Sequence, residues 1–157
     1  MKALTIWQPW ATLIVQGAKP YEFRGWKPPR SLIGQRIAIH AGARPIRRDE
    51  IQMLLLQLRD PKRYGAPCLH APLAIPVLDI AYQNPKGGAL PLSHVLATAI
   101  LGEPKHGDAC AAEFDEQAGN DSDRDEHFNW GWPLTGIVRL EPPVPAKGAQ
   151  GFWEWRP

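Results

Sequence analysis

The chain has 157 residues, 44% hydrophobic and 22% charged, with a formal net charge of +2. That is the balance of an ordinary globular protein, and the length fits one domain of roughly 100–200 residues. No run approaches the roughly 18 apolar residues that a membrane helix needs, which excludes an α-helical membrane span.

The opening "MKALTIWQPWATLIV" has one lysine, is broken by Gln8 and Pro9, and lacks a small-residue cleavage site, so it reads as mature structure. Residues 3–7, "ALTIW", predict a short strand. "QPWATLIVQG" predicts a helix, with Pro9 in the first turn, where its missing N–H costs nothing, and Gly17 as the left-handed cap. "YEFR" alternates, placing Tyr21 and Phe23 on one face and Glu22 and Arg24 on the other. "RIAIHA" (36–41) alternates again, with Ala38 and His40 opposite Ile37 and Ile39.

"PIRRDEIQMLLLQLRD" is the clearest helix, since Ile51, Leu54, Leu55 and Leu58 fall at i, i+3, i+4 and i+7 and Pro61 follows. "IPVLDIAYQ" predicts a weaker helix between Pro72 and Pro85. Residues 93–103, "SHVLATAILGE", are apolar on both faces, as in a central strand. "LTGIVRL" (134–140) predicts another strand and "PPVPAKGAQG" a turn-rich link. "FWEW" (152–155) closes the chain as a strand, with Trp153 and Trp155 on one face. Five or so strands with two or three helices argue an α+β fold, a small curved sheet or barrel with helices packed around it.

The net charge conceals an asymmetry. Residues 108–127 hold eight acids (Asp108, Glu113, Asp115, Glu116, Asp121, Asp123, Asp125, Glu126) against one base, Arg124, a balance of −7 that leaves +9 for the rest. The first 63 residues alone carry 12 Lys and Arg against 4 Asp and Glu. The acidic segment has little apolar periodicity and reads as a long loop at about 106–128. A basic body with a separate acidic loop points to an anionic partner, nucleic acid being the commonest, and to a loop that screens the basic surface.

Three blocks together carry a resemblance: "WQPWATLIVQGAKPYEFRGW", then "RIAIHAGAR", then "WPLTGIVRLEPPVPAKGAQGFWEW". They resemble the ASCH domain family, whose fold is a PUA-like β-barrel. Its signature, G-x-K-x-x-E-x-R, reads here as Gly17, Lys19, Glu22 and Arg24. The resemblance implies a single ASCH domain over 1–157, with a cleft lined by Lys19, Glu22 and Arg24 that receives RNA or a modified nucleotide. Some small bacterial members resemble amidohydrolases acting on acylated cytidine, and others have been taken for ribonucleases. The resemblance therefore leaves a second reading open: a metal-independent hydrolase with Lys19 and Glu22 as its catalytic pair. Glu22 stands where those amidohydrolases carry a threonine, which moves weight toward binding.

Each residue has an ordinary reading beside the functional one. Lys19, Glu22 and Arg24 in an exposed ion-paired strand edge would contribute only about 0–1 kcal/mol. In a cleft, Arg24 offers a planar fork to phosphate or a base edge, and Lys19 a point charge or a base. Of the seven tryptophans, Trp7 and Trp10 read as core. Trp26 reads as partly exposed beside the site, and Trp132 as a wall of the cleft. His40 lines the site near Arg44 or is a satisfied structural histidine.

No metal or cofactor is expected. "DSDRDE" has acids at positions 1, 3 and 5 of a calcium loop, but Glu126 replaces the glycine and Trp132 the closing glutamate. Cys68 and His70 lack a second ligand pair, and no phosphate-binding glycine pattern occurs. Two cysteines without an export signal suggest idle thiols in a reducing, cytoplasmic compartment. Oligomeric state is not legible.

Overall fold

The computed structural model describes residues 1–84, 86, 88–114 and 118–157. Pro85, Asp115 and Glu116, which the sequence reading used as a helix boundary and as part of the acidic charge, lie outside the described residues.

A seven-stranded mixed sheet runs in the order β2–β6–β4–β3–β1–β7, with β5 paired to the start of β6. The strands are β1 (Lys2–Ile6), β2 (Tyr21–Arg24), β3 (Arg36–Ala41), β4 (His94–Leu101), β5 (Lys105–His106), β6 (Trp130–Pro145) and β7 (Phe152–Glu154). β1 and β3 pair in parallel, and the other described pairings are antiparallel. β6 holds β2 and β5 through residues 130–133, then β4 from Leu134 to Pro145. Two register shifts along β4 and a positive φ of 55° at Gly136 bend the long strand, as bulges do. The sheet curls into a half-barrel, the α+β, PUA-like architecture.

β6 is longer than predicted, because Pro142, Pro143 and Pro145 stay in the strand rather than forming a turn. Beyond Pro133 no described strand pairs with the far edge of β6. Residues without an N–H are tolerated on such an edge.

Five helices are described: α1 (Trp10–Val15), α2 (Arg48–Arg59), α3 (Pro61–Tyr64), α4 (Ala71–Gln83) and α5 (Gly107–Ala111). That exceeds the two or three expected, since α3 and α5 are too short to leave a periodic signal. α4 starts earlier than predicted, with Pro72 in its first turn rather than before it, and it contains Pro76.

The helix-side core joins Leu13 and Ile14 of α1, Ile51, Leu54 and Leu55 of α2, and Leu78 of α4 to Leu4, Ile37, Ile39 and Leu101 of the sheet. Each such side chain, fully buried, stabilises the fold by roughly 1.5–3 kcal/mol. On the other face Ala3, Ala38 and Val95 pack under Trp155 and Trp153. β3 is therefore buried on both faces. β2 divides two environments: Tyr21 and Phe23 pack in a small cluster with Cys68 and Cys110, while Glu22 and Arg24 face the cavity described next, which Phe23 also edges.

No helix of the described residues is long and apolar enough to cross a membrane.

Candidate nucleotide-binding site

The turn after α1 sets the site. Gly17 takes φ +78°, a conformation that L side chains rarely adopt, and the chain reverses. The amides of Ala18 and Lys19 both donate to the Leu13 carbonyl, at 2.9 and 3.1 Å. Lys19 is thereby turned inward. It is 2% exposed, a rare burial for a lysine.

Its ammonium is paired twice. Lys19 Nζ donates to Asp121 Oδ2 and lies 3.7 Å from Glu22 Oε2. Glu22 in turn accepts from Arg24 Nε at 2.9 Å, and Arg24 Nη2 donates to the Thr5 carbonyl at 3.1 Å. Two of the five guanidinium N–H groups are thus used, and three remain. The line of charges reads Asp121, Lys19, Glu22, Arg24, alternating in sign.

Asp121 reaches this position through its own neighbours. Cys68 N–H donates to the Gly119 carbonyl at 3.0 Å and Gly119 N–H to the Ala66 carbonyl at 2.7 Å, which ties the acidic segment to the chain before α4. Trp10 Nε1 donates to the Asp121 carbonyl at 2.9 Å. Burial pushes the Asp121 carboxyl above the usual carboxylate range, against the pull of Lys19. The acidic segment is therefore more than a solvated loop. It carries α5, a 3₁₀ turn over Asp125–Asn129 and one buried acid.

These groups head a cavity of about 550 Å³, within the range of small-molecule sites. Thr5, Trp7, Trp10 and His40 line one side, Asp121 to Arg124 and His127 another, and the 147–151 turn a third. Counting Arg44 beside them, five cations (Lys19, Arg24, Arg44, Arg124, Lys147) face four acids (Glu22, Glu50, Asp121, Asp123), a balance of only +1.

His40 is fully engaged. Its Nε2 lies 3.0 Å from the Ala146 carbonyl, which only accepts, so Nε2 carries the proton. Nδ1 then accepts from Thr5 Oγ1 at 3.1 Å, and Thr5 Oγ1 accepts from Trp153 Nε1 at 3.0 Å. Burial lowers the His40 pKa and keeps the ring neutral. The thiols are inert: burial pushes Cys68 to about 12 and Cys110 to about 11, so neither is a nucleophile at neutral pH.

The ASCH domain model matches residues 4–91, or 88 of the 157 residues. The chain belongs to the ASCH domain family. ASCH domains are in general RNA-binding modules of PUA-like fold. No curated protein matches this chain.

The matched part of the ASCH domain supplies Lys19, Glu22, Arg24 and His40 to the cavity lining. Arg44 sits at the rim, donating through both Nη atoms to Glu50 Oε1 at 2.8 Å. Trp26 and Trp132 are not brought to the cavity. Trp132 is fully buried and donates Nε1–H to the Trp26 carbonyl at 3.0 Å. Trp26, 44% exposed, lies edge-on to it as a cover, with ring centroids 4.8 Å apart. Trp132 pairs with Glu22 across β2–β6 and so shares its side of the sheet, but Trp26 and Phe152 cover it, and the expected cleft wall is core.

Trp7, read from sequence as core, is instead half-buried and lines the cavity. Sequence reasoning also missed Asp121, Arg124 and His127, all from the segment that the ASCH domain match does not cover. The one base among eight acids was the available signal, and it marked Arg124. Among the described residues no group of three His, Cys, Asp or Glu side chains is placed to hold a metal ion.

Proposed function

We propose that the protein binds RNA, or a modified nucleotide, in the cavity headed by Lys19, Glu22 and Arg24. The observation that carries this is the buried Lys19, held between Glu22 and Asp121 at the head of a nucleotide-sized cavity. A buried ion pair is weak evidence for stability, because desolvating both charges offsets their attraction. An open cavity beside one is better explained by a ligand. Arg24 presents its free edge to phosphate or a base, Lys19 fixes a carbonyl or phosphate oxygen, and the two carboxylates accept from exocyclic amines.

The reading is tested by calorimetric titration of the protein with nucleosides, mononucleotides and short RNAs. Saturable binding that weakens in Arg24→Lys supports it, and no saturable binding of any of these overturns it.

One feature favours a second reading, a metal-independent hydrolase acting on an acylated cytidine or on RNA. A carboxyl raised by burial beside an ammonium, Asp121 beside Lys19, is the environment in which a proton is exchanged during catalysis. In that case Lys19 and Glu22 form the catalytic pair, with Asp121 as the residue that holds Lys19. Release of acetate from an acylated cytidine, or RNA cleavage with a chelator present, decides for it. Turnover equal to the Lys19→Met background decides against it.

A further inference from the structure

Arg124 is the one base in the acidic segment, yet its side chain makes no ion pair or hydrogen bond among the described residues. Asp123, Asp125 and Glu126 adjoin it in sequence. Instead the guanidinium lies 4.0 Å from the Trp7 ring centroid and lines the cavity. Its backbone is pinned on both sides. Arg124 N–H donates to Ser122 Oγ at 3.3 Å, and its carbonyl accepts from Asn120 Nδ2 at 2.7 Å and from His127 N–H at 3.0 Å. A cation held by its backbone and one aromatic face keeps its N–H edges available.

Two further donors share that side. The Glu126 backbone packs on Gly25, where an added Cβ would stand 3.2 Å from the Glu126 carbonyl oxygen, so His127 follows close to Arg24. His127 lines the cavity, and no hydrogen bond engages its ring among the described residues. Burial, with Arg24 and Arg124, lowers its pKa, while Glu126 and Glu22 oppose them. The ring is neutral at pH 7, beside two guanidiniums.

We infer that Arg124, the free edge of Arg24 and His127 form a phosphate subsite, so that the cavity takes a phosphorylated nucleotide in preference to a free nucleoside. This deepens the nucleotide-binding reading and rests on it. Trp7 serves as the platform that presents Arg124, with Arg44 against the same ring at 4.1 Å and spent on Glu50. A phosphate here satisfies two forks bidentately and favours the imidazolium of His127. Asp123 also lines the cavity, and its charge is outweighed by Arg124 and Lys147.

The test compares nucleosides with their own 5′- and 3′-monophosphates by calorimetry on the full chain. One of the monophosphates is expected to bind about tenfold or more tightly than the nucleoside, a difference that Arg124→Gln removes. In the unmodified protein the same ligand moves the His127 ring signals in NMR toward the protonated form at constant pH, whether or not the variant folds. Nucleosides that bind as tightly as both monophosphates, with His127 unmoved, overturn the subsite and leave the cavity reading standing. Failure of nucleosides and monophosphates alike overturns the subsite, and failure of short RNAs as well overturns the cavity reading with it.

Discussion

Lys19 and Asp121, 102 positions apart, meet as an ion pair in which both side chains are almost fully buried. Each makes the other's burial tolerable, so removing one is worse than removing both. Asp121→Ala leaves an ammonium with only Glu22, itself shared with Arg24, and should destabilise the fold by roughly 3–5 kcal/mol. The double variant Lys19→Met, Asp121→Leu should recover much of that loss while abolishing ligand binding. Urea denaturation of the three proteins tests this. A single variant within about 1 kcal/mol of the parent would show that the pair is not structural.

Arg24→Lys keeps the charge and loses the planar fork. The native side chain reaches both Glu22 and the Thr5 carbonyl, and a lysine reproduces neither geometry together with the free edge. Nucleotide affinity should fall about tenfold or more, with the melting temperature little changed because the residue is at the cavity margin. Unaltered affinity in the folded variant would place the site elsewhere.

The acidic segment needs a finer cut than wholesale removal. Replacing residues 111–126 by a linker would take away Asp121, the carbonyl that Trp10 grips, and the Gly119 contacts. Such a deletion is expected to unfold the site rather than to unmask it. Neutralising the exposed Asp125 and Glu126, as Asn and Gln, leaves Asp121 in place and should tighten binding to short RNA at low salt, with a lesser gain at high salt. Fluorescence anisotropy across a salt series measures both, and an unchanged low-salt affinity counts against screening.

His40 gives the stability a pH dependence of known sign. Its folded pKa lies below the usual histidine value, so the unfolded chain takes up a proton first as pH falls. The neutral ring's contribution is fully present above about pH 6.5 and is lost as pH falls toward the folded pKa. His127 is shifted the same way and adds to the slope. His40→Gln should flatten the fall in stability below about pH 6.5. Denaturation midpoints at two pH values suffice, and an equal fall in the variant assigns the dependence elsewhere.

Gly148 lies against the same ring. A Cβ there would meet Cε1 and Nδ1 of His40 and stand 2.8 Å from Thr5 Oγ1. His40 is fixed by bonds on both nitrogens, so the turn must move instead. Gly148→Ala should cost roughly 1–3 kcal/mol and weaken ligand binding, since residues 147–151 form one wall of the cavity. A crystal structure or melting curve indistinguishable from the parent would show the turn to be pliant.

Much of this was legible in the chain. Alternation over 21–24 separated Glu22 and Arg24 from Tyr21 and Phe23, and the structure puts Glu22 and Arg24 in the cavity and Tyr21 in the Cys68 and Cys110 cluster, with Phe23 touching both. Gly17 announced the reversal that buries Lys19. The α2 face followed from spacing alone, because each helix position repeats against one core. What failed has a common cause. Asp121 sits in a segment without periodicity, and its partner is distant in sequence, so no local pattern records it. Trp7 and Trp132 exchanged their expected places because burial of a tryptophan depends on what is laid over it. Trp26 and Phe152 lie over Trp132, whereas Trp7 packs one side on the core and carries two guanidinium groups against its ring at the cavity.

The pairing of Lys19 with Asp121 also sets an order in time. During synthesis the lysine leaves the ribosome 102 residues before its counter-charge, an interval on the order of 5–20 s at ordinary elongation rates. Through that interval the nascent chain holds the whole family signature but has no Asp121 to balance its ammonium. The turn after α1 closes through its own local bonds, so until Asp121 arrives Glu22 is the carboxylate left to face the ammonium. The cavity is completed from the far part of the chain, so a truncated product carrying residues 4–91 displays the motif and lacks the wall formed by Asp121 to Arg124 and His127.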